Sequence, residues 1–187
     1  MRCAFGVRLG QHGCVRLVWV TGVSGAGKST VCAVLKARGV AAIDADWDGF
    51  NVWVHRQTGE RIVDPPYPTP PGWLHTHAWQ IRVDLVQALA DSEDDDSTFL
   101  FGSIENEFEV WDLFTHVGCI VIDEVTLRHR LATRTTNLFG KHPEDLEQIV
   151  VWNRDVEASY RRFGATIIDG TKPLDEVVAA VLDLPTR

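Results

Sequence analysis

The segment Gly22–Thr30 constrains this 187-residue chain more than any other feature, because it reads Gly-Val-Ser-Gly-Ala-Gly-Lys-Ser-Thr. The pattern Gly-x4-Gly-Lys-Ser/Thr is that of a loop whose backbone N–H groups hold phosphates. The apolar run Leu17–Val20 precedes it and predicts a buried strand. Val31, Val34 and Leu35 follow it at helical spacing and predict a helix. Because a strand, a tight turn and a helix N-terminus would direct N–H groups to one point, we predict a phosphate site rather than a chance match.

Each residue type in this loop has a physical role at such a site. Glycines let the backbone turn tightly and approach a phosphate without an intervening Cβ. Lys28 supplies a cation for the β- and γ-phosphates, and the Ser29 hydroxyl supplies a hard oxygen ligand for Mg²⁺. The predicted nucleotide-binding residues are Gly22, Val23, Ser24, Gly25, Ala26, Gly27, Lys28, Ser29 and Thr30.

Composition is that of an ordinary soluble globular domain, with 45% hydrophobic and 24% charged residues. The formal net charge of −8 argues against general binding to nucleic acids or anionic membranes. We find no apolar stretch of bilayer length and no signal-peptide pattern, so we expect a cytoplasmic protein. The four cysteines form no Cys-x-x-Cys pair, and we expect Cys32 and Cys119 to be inert core thiols.

Apolar runs alternate with helical patterns along the chain, which predicts a parallel sheet covered by helices on both faces. Ligands of such sheets bind beyond the carboxyl ends of the strands. The predicted strands are Leu17–Val20, Ala41–Ala45, Thr98–Gly102, Cys119–Asp123 and Ala165–Asp169. One further helix is predicted from Leu74, Ala78, Ile81, Leu85 and Leu89, and others follow Pro143 and Pro173.

Two carboxylates follow the second predicted strand, in the sequence Ile43-Asp44-Ala45-Asp46. Residues i and i+2 of a strand face the same side, so both side chains can point toward the phosphate loop. One of them is suited to holding Mg²⁺, and the other to orienting a substrate hydroxyl or taking its proton. The alternative is a cap on the next helix.

Arg130 and Arg134 follow the fourth predicted strand at a spacing of four, which places them on one helix face. A guanidinium group can stack on a purine or neutralise charge on a transferring phosphoryl group. The alternative is a pair of ordinary solvated charges. The polar segment Thr135–Lys141 comes next and predicts a short lid, which would exclude water from the site.

Other segments have weaker signals. Asp169–Pro173 would lie beside a base pocket or form a plain turn, and Gly102–Asn106 is a candidate substrate contact. The segment Asp64–Gly72 is too rich in proline for a helix or a paired strand, and predicts a stiff connection or the edge of a lid. Six tryptophans could line an aromatic pocket or pack in the core: Trp47, Trp53, Trp73, Trp79, Trp111 and Trp152.

From Leu17 to about Leu182 the chain resembles the small P-loop kinases of the adenylate kinase, shikimate kinase and gluconate kinase type. The loop Gly22–Thr30 is the feature specific to this superfamily. The resemblance implies a three-layer α/β/α fold with a five-stranded parallel sheet of order 2-3-1-4-5. It also implies one domain over residues 17–187, with an acceptor-binding insert at 47–87 and a short lid at 134–143. Residues 1–16 are then a flexible extension.

Several residue roles come from the resemblance. Asp44-Ala45-Asp46 is similar to the Asp-x-Asp of shikimate kinases, which implies that Asp44 serves Mg²⁺ and Asp46 the substrate. Arg130 and Arg134 resemble lid-helix arginines, which implies that Arg130 packs on adenine and Arg134 reaches phosphates. Asp169–Pro173 resembles the adenine-side loop, which implies a contact from Thr171.

The chain also departs from these families. No Asp-Gly-Phe-Pro-Arg follows the third strand, which argues against an adenylate kinase. Gly102-Ser103 stands where shikimate kinases have a Gly-Gly pair. The insert, rich in Trp, His and Pro, matches no acceptor class.

We therefore expect an ATP- and Mg²⁺-dependent kinase acting on a nucleoside-like, shikimate-like or antibiotic-like hydroxyl. Its predicted catalytic residues are Lys28, Asp46 and Arg134, and its metal ligands Ser29 and Asp44. The expected partners are ATP and a small-molecule acceptor, without nucleic acid or membrane, in a monomer or homodimer. One alternative is a nucleotide-binding ATPase or switch with no acceptor. Another is a kinase of nucleic-acid ends, which the acidic net charge disfavours.

Overall fold

A parallel sheet of five strands forms the centre of the computed structural model, which describes residues 16–92 and 97–184. The described residues form eight strands: β1 (Leu17–Thr21), β2 (Ala42–Asp44), β3 (Asn51–His55), β4 (Arg61–Ile62), β5 (His77–Ile81), β6 (Thr98–Phe101), β7 (His116–Val121) and β8 (Thr166–Asp169). They also form six α-helices: α1 (Lys28–Ala37), α2 (Trp73–Thr76), α3 (Val83–Ala90), α4 (Glu124–Thr133), α5 (Pro143–Arg162) and α6 (Leu174–Leu182). The predicted N-terminal extension lies outside the described residues, apart from residue 16.

The parallel strands lie in the order β2-β6-β1-β7-β8, which is the predicted order 2-3-1-4-5, because β3, β4 and β5 form a sheet of their own. The central strand β1 is buried along its whole length. Leu17 and Trp19 pack into one core, and Val18 and Val20 into the core on the opposite face. A strand covered on both faces must be apolar throughout, and this explains the unbroken apolar run before the glycine-rich loop.

Helices cover both faces, as the three-layer fold requires. Residues of α1, α4, α5 and α6 join the core that contains Val18 and Val20, and residues of α3 join the other. Cys32 and Cys119 are free and fully buried in the first of these cores, and burial raises the pKa of each thiol to about 12. A thiol that stays protonated is a poor nucleophile, in keeping with the expected inert role.

Two sequence predictions need correction at β7. The strand begins at His116, three residues before the predicted start at Cys119, and it ends before Asp123. Asp123 instead caps α4, because its Oδ1 accepts a hydrogen bond of 2.7 Å from the backbone N–H of Thr126. An Asp at this position satisfies a backbone donor that the first helical turn leaves open.

The single helix predicted from Leu74 to Leu89 is wrong over residues 77–81, where β5 separates two shorter helices, α2 and α3. Ala78 and Ile81 are buried and three residues apart, so their spacing imitates a helical face. The segment is extended instead and pairs antiparallel with β3, which pairs with β4 on its other side. Trp53 and Trp79 are directly opposed in this pairing, with ring centroids 4.8 Å apart. Cross-strand aromatic pairs of this kind stabilise a sheet, and a single chain segment does not display them.

Asn106 ties the antiparallel sheet β4-β3-β5 to the rest of the molecule. It is 3% exposed and binds both backbone groups of Ile81. Its Oδ1 accepts from the N–H at 2.9 Å, and its Nδ2 donates to the carbonyl at 3.1 Å. A buried amide that pairs with two backbone groups fixes the end of β5 against the loop after β6.

We expect Asn106→Ala to lower the free energy of unfolding by about 2–3 kcal/mol, because it leaves two buried backbone groups of Ile81 without partners. Urea unfolding followed by circular dichroism measures this. Glu109→Gln is the matched control, since Glu109 only accepts a long bond of 3.4 Å from Asn106, and it should change stability by less than about 0.5 kcal/mol. Equal stability of the two variants would contradict this role.

Candidate functional site

The structure places the loop Gly22–Thr30 between the end of β1 and the start of α1. Gly27 immediately precedes the helix with a φ of +109°, a conformation that favours glycine. A Cβ on Gly22 would lie 2.3 Å from the carbonyl oxygen of Ile120, so the loop passes directly against β7. The first turn of α1 therefore offers its unpaired N–H groups at the carboxyl end of the sheet.

Lys28 is held inside this loop. Its Nζ donates hydrogen bonds to the carbonyl oxygens of Gly22, at 2.6 Å, and Val23, at 3.2 Å. Burial lowers the pKa of this lysine, while the nearby negative charges of Asp46 and Asp44 act in the opposite direction. Both predicted carboxylates are thus close enough to act on the lysine of the loop.

Asp44, at the end of β2, is 6% exposed and lies beside the first turn of α1. Burial raises the pKa of its carboxyl group, and a hydrogen bond with the Ser29 side chain lowers it in part. The Asp44 Oδ1 also accepts a bond of 3.2 Å from the backbone N–H of Asp46. The two predicted metal ligands, Ser29 and Asp44, are therefore neighbours.

Asp46 lies just beyond β2 and faces the antiparallel sheet. Its Oδ1 accepts hydrogen bonds from Asn51 Nδ2 at 2.7 Å and from Trp79 Nε1 at 2.8 Å. Both of these bonds are made by one oxygen, which leaves Oδ2 for a further donor. The carboxylate is positioned by β3 and β5, two strands that lie outside the parallel sheet.

Arg130 and Arg134 both reach the phosphate loop. The Arg130 guanidinium donates to the carbonyl oxygens of Ala26, at 2.9 Å, and Gly170, at 2.8 Å. The spacing predicted that Arg134 belongs to the same helix as Arg130. This is wrong, because α4 ends at Thr133 and the backbone becomes extended at Arg134. It nevertheless donates to Ser24 Oγ at 3.0 Å and to the carbonyl of Phe139. Its Nε is buried without a hydrogen-bond partner among the described residues.

Thr171 follows β8 in an exposed turn. Its N–H and hydroxyl donate to Asp169 Oδ1 at 2.9 and 2.6 Å. Arg130 connects this turn to the phosphate loop through Gly170. These bonds within the turn fit the plain-turn interpretation, and the nucleotide contact of Thr171 stays a prediction.

A cleft of about 1030 Å³ lies over the phosphate loop. Its walls come from the loop, the antiparallel sheet, the proline-rich segment 64–72, the residues after α4, and α5. The Tyr67 hydroxyl accepts a bond of 3.0 Å from the backbone N–H of Leu138, so the proline-rich segment touches the predicted lid across the cleft. Lys28 and Asp46 line the same cavity.

Sequence patterns did not indicate Glu107, whose carboxylate lies at the end of β1. Both of its oxygens accept from the Tyr160 hydroxyl at 2.6 Å, and one accepts from Trp19 Nε1 at 3.1 Å and Thr21 Oγ1 at 3.3 Å. Burial raises the pKa of this carboxyl group, and Lys28 is among the charges that lower it. Its partners are up to 88 residues away along the chain, so no local spacing identifies it.

Among residues 16–92 and 97–184, no group of three His, Cys, Asp or Glu side chains could hold a metal ion, and no helix is long and apolar enough to cross a membrane.

The chain matches no family model and no curated protein by sequence. It is similar in structure to a sugar kinase from Janibacter sp. HTCC2649, with a TM-score of 0.54 and 18% identity over 92% of this chain and 95% of that one. A shikimate kinase from Bacteroides thetaiotaomicron gives a TM-score of 0.56 and 15% identity over 92% and 99% of the two chains. A shikimate kinase from Aquifex aeolicus gives 0.50 and 17% over 89% and 93%. The chain thus has the fold of the small P-loop kinases.

We expect the free energy of unfolding of Glu107→Gln minus that of the native protein to rise as pH increases from about 4.5, the ordinary pKa of a glutamate, toward alkaline pH. A carboxyl group whose pKa is raised by folding stabilises the folded state fully below its unfolded pKa, and this contribution is lost as pH rises through the folded pKa. Glutamine has no such loss. Thermal unfolding across this pH range measures the difference, with Glu157→Gln as the control for removing an exposed carboxylate. A difference that falls with pH would contradict the direction given for Glu107.

Proposed function

We propose that this protein is an ATP- and Mg²⁺-dependent kinase that transfers the γ-phosphoryl group to a hydroxyl group of a small molecule. The observation that carries the proposal is that Lys28 of the phosphate loop and the carboxylate of Asp46 line one cleft. Phosphoryl transfer needs a held phosphate and an oriented nucleophile on the same side of the site. The three structural relatives, a sugar kinase and two shikimate kinases, share this fold and support the proposal.

On the donor side, the N–H groups of the loop hold the β-phosphate, and Lys28 moves with the γ-phosphoryl group. When the nucleotide binds, phosphate oxygens replace the carbonyl oxygens of Gly22 and Val23 as acceptors of the hydrogen bonds from Lys28 Nζ. Arg134, whose buried Nε has no hydrogen-bond partner in the described part of the chain, neutralises charge that develops on the transferring group. Arg130 and Thr171 form the adenine side of the site.

Ser29 and Asp44 fit a magnesium ion, because a hydroxyl and a carboxylate supply hard oxygen ligands and lie beside each other. Magnesium binds through one or two carboxylates together with phosphates and water, so a larger cluster of acidic side chains is not required. When bound, the ion neutralises charge on the nucleotide phosphates. Since burial raises the pKa of Asp44, this ligand loses its charge at a higher pH than an exposed aspartate does.

On the acceptor side, Asp46 orients the attacking hydroxyl and accepts its proton. Trp79 and Asn51 hold the carboxylate through Oδ1, so its rotamer is fixed before the acceptor arrives. A fixed carboxylate avoids the entropic cost of ordering the base in the transition state.

We expect Lys28→Met to reduce phosphoryl transfer by about 10³-fold or more, because the cation nearest the transferring group is lost. The measurement is ATP consumption in a screen of nucleosides, sugars, shikimate-like acids and aminoglycosides. Lys36→Met is the matched control, since Lys36 lies on the same helix but its Nζ is exposed and pairs with Asp48. ATP hydrolysis that no acceptor stimulates would favour the alternative of a nucleotide switch, and full turnover by Lys28→Met would overturn the mechanism.

We expect Asp46→Asn to lower kcat by about 10²-fold or more with little change in KM for ATP, because the amide cannot take a proton. The amide oxygen can still accept the bonds from Trp79 and Asn51, so the fold is retained. Steady-state kinetics with the acceptor found in the screen measures both constants. A loss confined to KM of the acceptor would show that Asp46 binds the acceptor without taking its proton.

A further inference from the structure

The acceptor half of the cleft has an aromatic wall beside Asp46. Trp53 and Trp79 are opposed on β3 and β5, half-buried, and both line the cleft. The indole N–H of Trp79 binds Asp46, which places the ring next to the carboxylate. Trp47 also lines the cleft and is 60% exposed. Tryptophan faces of this kind bind flat rings, apolar ring faces and cations.

The side chains that line the cleft as a whole include more acidic groups than basic ones. Asp46, Glu105, Asp145 and Asp155 line the cleft. Among the described residues of the lining, the lysines are Lys28, which belongs to the phosphate loop, and Lys141. The Lys141 ammonium donates to the carbonyl oxygen of Ala132 at 2.6 Å, on the lid side. His142 is the remaining basic side chain of the described lining.

The guanidinium group of Arg56, next to the antiparallel sheet, is already neutralised. Arg56, which follows β3, binds both carboxylate oxygens of Glu105 at 2.7 and 2.8 Å, and its Nε donates to the carbonyl of Leu74 at 3.0 Å. A bidentate pair of this geometry occupies the fork that would otherwise receive a carboxylate or phosphate. An anionic acceptor would therefore meet acidic neighbours without a free cation from the described part of this wall.

We propose that the acceptor is a hydroxylated molecule that carries no negative charge and that presents a ring face to Trp53 and Trp79. This inference rests on the proposed kinase function and narrows its acceptor class to neutral or cationic ring compounds. Sugars, nucleosides and amine-bearing ring alcohols belong to this class, and shikimate-like acids do not. Because bound ATP adds further negative charge to the cleft, the same preference holds in the ternary complex.

The first experiment uses matched acceptor pairs that differ only in a carboxylate in place of a hydrogen: xylose with glucuronate, and uridine with orotidine. With native enzyme and saturating ATP and Mg²⁺, kcat/KM for the neutral member should exceed that for the acid by about tenfold or more. Preferential phosphorylation of either acid would overturn the inference and leave the kinase function intact. ATP consumption that none of the four compounds changes, nor any in the wider screen, would instead count against the kinase function.

The second experiment does not depend on the acceptor. Glu105→Gln removes one negative charge from the cleft and releases Arg56, so quenching of tryptophan fluorescence by iodide should increase relative to quenching by caesium. Glu157→Gln is the matched control, because it breaks an exposed ion pair with Arg161 and changes the net charge equally. An equal change in iodide quenching relative to caesium quenching in the two variants would overturn the inference. Where an acid is a measurable acceptor, Glu105→Gln should also lower the ratio of kcat/KM for the neutral compound to kcat/KM for the acid by about tenfold.

Discussion

The carboxylate of Asp46 joins the two halves of this molecule. It stands where β2 ends, at the edge of the parallel sheet, and one of its oxygens holds the first residue of β3 and the central tryptophan of β5. Charge-assisted hydrogen bonds are about twice as strong as neutral ones, so this contact fixes the antiparallel sheet relative to the phosphate loop. The group that we propose to orient an acceptor hydroxyl thus also holds Asn51 and Trp79 of the antiparallel sheet in place.

Charged groups are concentrated in a partly desolvated region beneath the cleft. Burial lowers the pKa of Lys28 and raises the pKa values of Asp44 and Glu107, which means that each group is less stable in its charged form than in water. Their opposite charges offset part of this cost while the nucleotide is absent. A bound phosphate would compete for Lys28, and the resulting electrostatic interactions are stronger here than at an exposed site.

The position of the phosphate loop could be predicted from sequence because its motif specifies a backbone conformation. A loop that wraps phosphate needs glycine at fixed positions, such as Gly22 against Ile120, and a helix that begins at Lys28, so the motif and its structure coincide locally. The order of the parallel strands was expected from the resemblance to the small P-loop kinases. The strands themselves were predictable, since strands buried on both faces are apolar throughout and stand out in sequence. Glu107 was not, because its partners come from β1 and α5, far away in the chain. The helix assigned to 74–89 failed for a similar reason: only pairing with β3 makes residues 77–81 a strand.

Recognition of an acceptor would depend on side chains from several elements, whereas a phosphate loop binds through its backbone N–H groups. The wall that we propose for the acceptor consists of side chains from β3, β5 and the loop after β6. Its electrostatic character depends on which charges neutralise each other. Arg56 would indicate an anion site if it were considered alone, and its bidentate pairing with Glu105 reverses that conclusion. In the sequence Arg56 and Glu105 are two separate charged residues. In the fold they form an ion pair without net charge beside Trp53 and Trp79. The proposed acceptor specificity therefore follows from cross-strand and loop contacts, which the motif of the phosphate loop does not indicate.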